Sequence, residues 1–179
     1  MTLGDHPVDI VPDTKNWTWV LSRACPECGL DTQLLSREEI PALLGANVAR
    51  WPAVLARPDA RRRPAPATWS PLEYGCHVRD VFRIFTDRLD RMMTESDPLF
   101  SNWDQDQTAV EERYGEQMPA TVAAELVSAG ETLAGRFASV HGDQWERPGR
   151  RSDGAHFTVD TFARYLLHDP VHHLYDVTR

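Results

Sequence analysis

The segment TVDTFARYLLHDPVHHLYDV near the C-terminus constrains this chain more than any other stretch. It reads as one helix, capped near Thr158, and carries His168, His172 and His173 of the seven histidines. At about 100° per residue, His168 and His172 stand about 40° apart on one face, one turn apart. That spacing lets two imidazoles share a metal ion, as in the paired histidines of a zincin helix. His173 lies about 140° from His168 and points elsewhere unless the helix is distorted. Pro170 offers a distortion, because it lacks an N–H and crowds the carbonyl one turn earlier. The favoured pair is His168 and His172, with His173 in reserve.

A catalytic site needs a third ligand. His77, in the helical run TWSPLEYGCHVRDVFRIFTDRLDRM, is the obvious donor. One histidine on a helix plus an i,i+4 pair on another is how bundle interiors build metal sites. Glu73 at i−4 and Asp80 at i+3 lie on nearby faces, where either carboxylate could orient the imidazole or act as a base on bound water. The plainer readings are that these acids are helix-surface charge and that the histidines are capping or surface residues binding no metal.

The rest of the chain supplies the scaffold. Ser36 with Glu39 forms a capping-box signature, and Leu43, Leu44, Asn47, Val48, Trp51 and Leu55 continue it as an amphipathic stripe that Pro52 can bend. The segment RPDARRRPAPAT ends that stripe and reads as a solvated basic linker rather than a docking site. Ser70-Pro71-Leu72-Glu73 is the cleanest start in the chain: a cap, a proline at the first helical position and a capping-box Glu. From there Leu72, Cys76, Val81, Phe82, Phe85 and Leu89 predict a helix to about Thr94. A loop anchored by Phe100 and Trp103 passes into a short polar helix. A long helix over 121–140 follows, with Val122, Leu126, Leu133 and Phe137 on one face. HGDQWERPGRRSDGAHF reads as a loop in which Trp145, Arg150, Arg151 and His156 overhang a pocket mouth or simply form a charged turn. Four long helices with longish connections predict an all-α bundle over residues 36–179, preceded by an N-terminal arm over 1–35.

The arm carries Trp17, Trp19, Val20 and Leu21 as anchors, and a CxxC, Cys25 and Cys28, in CPECG. A zinc ribbon needs a second such pair, and none exists here; Cys76 is the only other cysteine. Neutral thiols, metal ligation and redox chemistry all stay open for this pair. A net charge of −8 argues against a nucleic-acid surface. No apolar run approaches the roughly 20 residues that span a bilayer. The N-terminal sequence lacks the basic region and apolar core of a secretory signal, so a cytoplasmic protein is expected. No glycine-rich phosphate loop, GxSxG elbow or internal repeat is present.

The runs WSPLEYGCHVRDV and YLLHDPVHHLYDV together resemble the DinB/YfiT-like superfamily of four-helix bundles, which includes mycothiol-dependent maleylpyruvate isomerases. The resemblance covers about residues 36–179. The CPECG arm lies outside the common pattern and is similar to that of an actinobacterial subgroup. The resemblance implies a bundle in which His77, His168 and His172 hold one divalent metal, zinc or nickel. It further implies a small-molecule substrate and, in some members, a low-molecular-weight thiol such as mycothiol as cosubstrate for transfer or isomerisation. Bundles of this kind often pair, and the exposed aromatics would permit a homodimer. The rival expectation is a binding or stress-response protein whose ion is structural, its site closed by Asp169, His173 or a cysteine of the arm.

Overall fold

The computed structural model describes residue 10 and residues 16–179. The first fifteen residues of the arm expected over 1–35, residue 10 apart, therefore fall outside the described residues. Ser36 and Glu39 do form a capping box, on a single 3-10 turn that runs into helix α1, Ile40–Val48. The stripe then breaks, and α2, Trp51–Leu55, restarts with Pro52 in its first turn. Pro52 thus ends up where its missing N–H costs nothing.

Helix α3 spans Pro71–Thr94 with the Ser70–Glu73 capping box closed in both directions. A short α4, Gln105–Glu111, is followed by α5, Pro119–Ala138, and by α6, Val159–Thr178, whose capping box is Thr158 with Thr161. Helix α5 packs on α1, α2 and α3, while α6 packs on α1 and α3, so four helical layers enclose one core. Leu44, Trp51, Leu72, Phe82, Leu126, Leu133, Phe162 and Leu166 are all buried there. Each contributes roughly 1.5–3 kcal/mol by leaving water. The all-α bundle read from the sequence is the fold observed.

The segment after α5, read as a loop, contains a hairpin instead. Strand β1, Leu99–Phe100, pairs in parallel with β2, Pro148–Arg151, which pairs antiparallel with β3, His156–Thr158. Such short strands give too little alternation to be seen as a period of two. Their turn is marked by Gly154, whose φ of +93° suits glycine. The basic segment before α3 is not a free linker either. Arg57 donates to the carbonyl of Val177 (2.7 Å), Arg61 to that of Gly115 (3.1 Å), and Arg63 to the Glu73 carboxylate.

Residues 16–35 lie against α6. Thr32 donates its hydroxyl to the Val20 carbonyl, and Arg164 of α6 donates to the carbonyls of Thr32 and Leu35. Among the described residues no helix is long and apolar enough to cross a membrane.

Close approach of α5 to its neighbours depends on Gly130. A Cβ there would meet Val48 Cγ2 at 2.3 Å and the Phe82 ring at 3.0 Å, whereas one at Gly135 would meet nothing within 4 Å. We predict that Gly130→Ala destabilises the protein by about 1–3 kcal/mol through overpacking. Gly135→Ala on the same helix should instead be neutral or stabilising by up to about 1 kcal/mol. Denaturant melts of the two variants check this.

Candidate metal centres

Helix α6 stays continuous through Pro170, so its side chains keep helical register on both sides of it. Asn47 of α1 donates its amide to the Pro170 carbonyl (2.8 Å) and accepts from the Trp51 indole (3.1 Å), tying α1 to α6 at that point. With the register preserved, His168 and His172 form one i,i+4 pair, their ring centroids 5.0 Å apart. Asp169 and His173 form a second pair of the same spacing, offset by one residue. The offset of about 100° turns the two pairs toward different neighbours.

The first pair faces the arm. Cys25, Cys28, His168 and His172 each place a ligand atom within 4.8 Å of the others. Cys25 is buried, with its Sγ 3.6 Å from His172 Nδ1. The CPECG turn is closed by Gly29 N–H donating to the Cys25 carbonyl and Cys25 N–H donating to that of Leu30, both at 2.9 Å. Gly29 has φ +76°, so glycine is required to close it. Burial pushes the Cys28 thiol up to about 11, with the neighbouring Cys25 adding to the effect. Burial also depresses His168 to about 4, helped by the charge His172 would carry, so His168 is neutral near pH 7.

The second pair faces α3. His77, Asp169 and His173 form a separate ligand group. Nε2 of His77 lies 3.4 Å and Nε2 of His173 3.8 Å from the same Asp169 oxygen, Oδ2. Asp169 is deprotonated at neutral pH: burial opposes its charge, but His77 and His173 outweigh that and hold the carboxyl at about 2. Aromatic rings fix both imidazoles. Trp103 stacks on His77 at 5.4 Å and 8°, Trp69 covers it at 5.4 Å, and Tyr74 lies 4.9 Å from His173. His173 Nδ1 faces the Asp176 carboxylate at 3.3 Å.

The three histidines expected to act together are therefore divided. The structure brings His168 and His172 together, but places His77 with Asp169 and His173. Neither acid expected beside His77 serves it. Glu73 is occupied by the Ser70 cap and Arg63, while Asp80 accepts from Arg79, Arg83 and the Tyr114 hydroxyl. Asp169, expected only as a residue that could close a structural site, is the acid that does face His77. The available signal was its own i,i+4 spacing to His173.

The fit of these residues to a metal is tested by their unmet polar atoms. His77 Nδ1, His168 Nε2 and Asp169 Oδ1 are buried without a hydrogen-bond partner. Native interiors seldom leave such atoms unpaired, and each costs about 1–3 kcal/mol unless a ligand, ion or water meets it. Both groups fit divalent ions by donor type: sulfur and imidazole in one, imidazole and carboxylate in the other.

Both groups border one cleft of about 720 Å³, walled by Trp17, Trp69, Tyr74, Trp103 and Tyr165. Three arginines, Arg88, Arg151 and Arg179, also line it. Arg151 pairs with Asp153 and donates to the Tyr165 hydroxyl (3.0 Å). Arg88 is buried, donates to the Ser101 carbonyl (2.9 Å) and lies over the rings of Phe85 and Phe100. Of the other residues read as overhanging a pocket, Arg150 pairs with Asp97, Trp145 stacks on Phe137, and His156 is exposed.

Fold and site together define a helical bundle whose final helix carries groups of residues able to ligate a metal. A family model described as the DinB superfamily matches residues 55–177, and the chain belongs to that superfamily. Among solved structures, YfiT from Bacillus subtilis matches with 16% identity and a TM-score of 0.62, covering 96% of this chain and 93% of that one. YfiT is described as "a probable metal-dependent hydrolase with an unusual four-helix bundle topology"; at this identity the likeness speaks for the fold alone. No curated protein matches the chain.

Asp80 offers a test of its structural assignment. Burial works against its charge, but Arg79 and Tyr114 outweigh it and lower its pKa below the usual 3.8. The unfolded chain therefore binds more protons in the acid range, and stability is present above about pH 4 and lost below it. We predict that Asp80→Asn lowers stability at pH 7 by about 1–3 kcal/mol. The deficit should shrink as pH falls through the folded-state pKa, while metal content stays at the wild-type level. Melts at pH 7 and pH 3, with elemental analysis, check this.

Proposed function

We propose that the chain is a metal-dependent enzyme whose catalytic ion is held by His77, Asp169 and His173. The observation that supports this most is the convergence of His77 Nε2 and His173 Nε2 on Asp169 Oδ2 beside the aromatic cleft. Zinc or nickel suits such a nitrogen-rich set with one carboxylate. Three protein ligands leave coordination open, as catalytic sites do. A divalent ion held there would lower the pKa of a bound water or thiol and so supply a nucleophile at neutral pH.

The chain's own residues do the rest. Two neutral imidazoles and one carboxylate leave a divalent ion with one positive charge, which favours an anionic fourth partner: hydroxide or the thiolate of a low-molecular-weight cosubstrate. Asp176 accepts from His173 Nδ1 and so holds Nε2 as the donor atom. Trp69 and Trp103 fix the plane of His77 and keep water from its faces. Arg88 and Arg151 supply positive charge on the cleft wall, where they would orient an electrophile carrying a carboxylate or similar anion. That combination supports thiol-dependent transfer or isomerisation of an anionic small molecule, with hydrolysis the outcome when water takes the thiol's place.

We predict that His77→Ala, Asp169→Ala and His173→Ala each lower the bound metal by one equivalent. Asp176→Asn should weaken affinity at this site about 10–100-fold through the loss of its support for His173. Elemental analysis and metal titration of tag-free protein read both effects. Unchanged metal content in all three ligand variants would overturn the assignment. Turnover of carboxylate-bearing electrophiles, assayed with and without a small thiol, then separates transfer from hydrolysis.

A further inference from the structure

The catalytic reading uses none of Cys25, Cys28, His168 and His172, yet these four converge. We propose that they form a closed Cys2His2 zinc site that fastens the N-terminal arm to α6. Two of its ligands, Cys25 and Cys28, precede residue 55, where the superfamily match begins.

Geometry supports a zinc site over a simple thiol–imidazole contact. Zinc–sulfur and zinc–nitrogen bonds of about 2.3 and 2.05 Å meeting at a tetrahedral angle separate sulfur from nitrogen by about 3.6 Å. Cys25 Sγ and His172 Nδ1 are 3.6 Å apart. A hydrogen bond between those two atoms would explain that pair alone. It would leave unexplained why Cys28 and His168 bring their own donor atoms within 4.8 Å of both. Nor would it explain His168 Nε2, a ring nitrogen without a partner on a residue 5% exposed. A fourth ligand position is the account that meets it.

The surroundings set the tautomer. His172 Nε2 has Asp176 Oδ2 at 3.7 Å and Glu27 Oε2 at 3.9 Å. With the ring proton on the carboxylate side, Nδ1 is left as the lone-pair donor toward Cys25. The CPECG turn, with Gly29 in the left-handed region, holds its two sulfurs on one side of a tight loop. Binding displaces two thiol protons to solvent, and two thiolates then cancel the charge of the ion. A neutral, fully ligated site needs no exogenous anion, which marks it as structural.

Its consequence reaches the cleft. Trp17 of the arm lies 5.3 Å from His168 and 5.4 Å from His172, and it forms part of the cleft wall. Fixing the arm therefore fixes that wall, next to the catalytic group but through separate ligands.

Cobalt(II) loading of the full chain tests this. The wild type should show a sulfur-to-metal charge-transfer band, which Cys28→Ser and Cys25→Ser each abolish with loss of one equivalent of metal. His77→Ala should keep the band, so failure of the catalytic reading would leave this result unaltered. Zinc-loaded wild type should also resist trypsin at Arg23, exposed in the arm, and become at least tenfold more susceptible on chelation while far-ultraviolet circular dichroism keeps the bundle's helical signal. The proposal is overturned if loaded wild type shows no sulfur-to-metal band, which needs no variant to fold. It is likewise overturned if the band survives both cysteine substitutions, or if freshly isolated protein holds Cys25 and Cys28 as a disulfide.

Discussion

The one-residue offset between two i,i+4 pairs on α6 is the constraint on which the rest of the site depends. His168 with His172 and Asp169 with His173 use the same helical spacing, and the rotation of about 100° between them sends one pair to the arm and the other to α3. That division requires regular helix through Pro170, a residue that would normally bend it. The helix is nonetheless continuous there, with Pro170 buried and its carbonyl accepting from Asn47 of α1. A kink here would rotate His172 and His173 relative to His168 and Asp169 and spoil both ligand groups at once.

Charge would separate the roles proposed for the two groups. A divalent ion between two thiolates and two imidazoles is electrically complete, whereas one between two imidazoles and a single carboxylate retains a positive charge and open coordination. The first suits fastening, the second chemistry. Asp176 stands between them, with Oδ2 facing both His172 Nε2 and His173 Nδ1. One carboxylate thus bears on the ring orientation of a residue in each group. Burial does not follow the same division: Cys25, His168, His172 and also His77 are buried, whereas Cys28, Asp169 and His173 are half-buried.

Much of the scaffold was legible in the sequence because it rests on local rules. The Ser70-Pro71-Leu72-Glu73 cap sets the start of α3 and thereby the place of His77, and the 3.6-residue stripe carries that helix to Thr94 as read. The hairpin of β2 and β3 was not legible, since strands of three or four residues carry almost no period. The ligand grouping was only half legible. Spacing along one helix brings His168 to His172, but which residue of another element faces that pair depends on how the arm and α3 dock, which is a long-range matter. The CPECG knuckle lacked a second cysteine pair in sequence, and its partners turn out to be histidines more than 130 residues along the chain, paired through space rather than by motif. Asp169 was legible only as a possible closing ligand, because its approach to His77 depends on how α6 docks on α3.

The most direct test of the account is the number and kind of ions one chain holds. Tag-free protein saturated with zinc, freed of excess and examined by elemental analysis with zinc-edge X-ray absorption, should contain two equivalents per chain. The averaged environment should have about one sulfur per zinc, as expected when one site has two sulfurs and the other none. A single equivalent bound only by nitrogen and oxygen, with His77, His168 and His172 all needed to hold it, would contradict the division of α6 into two metal-binding faces.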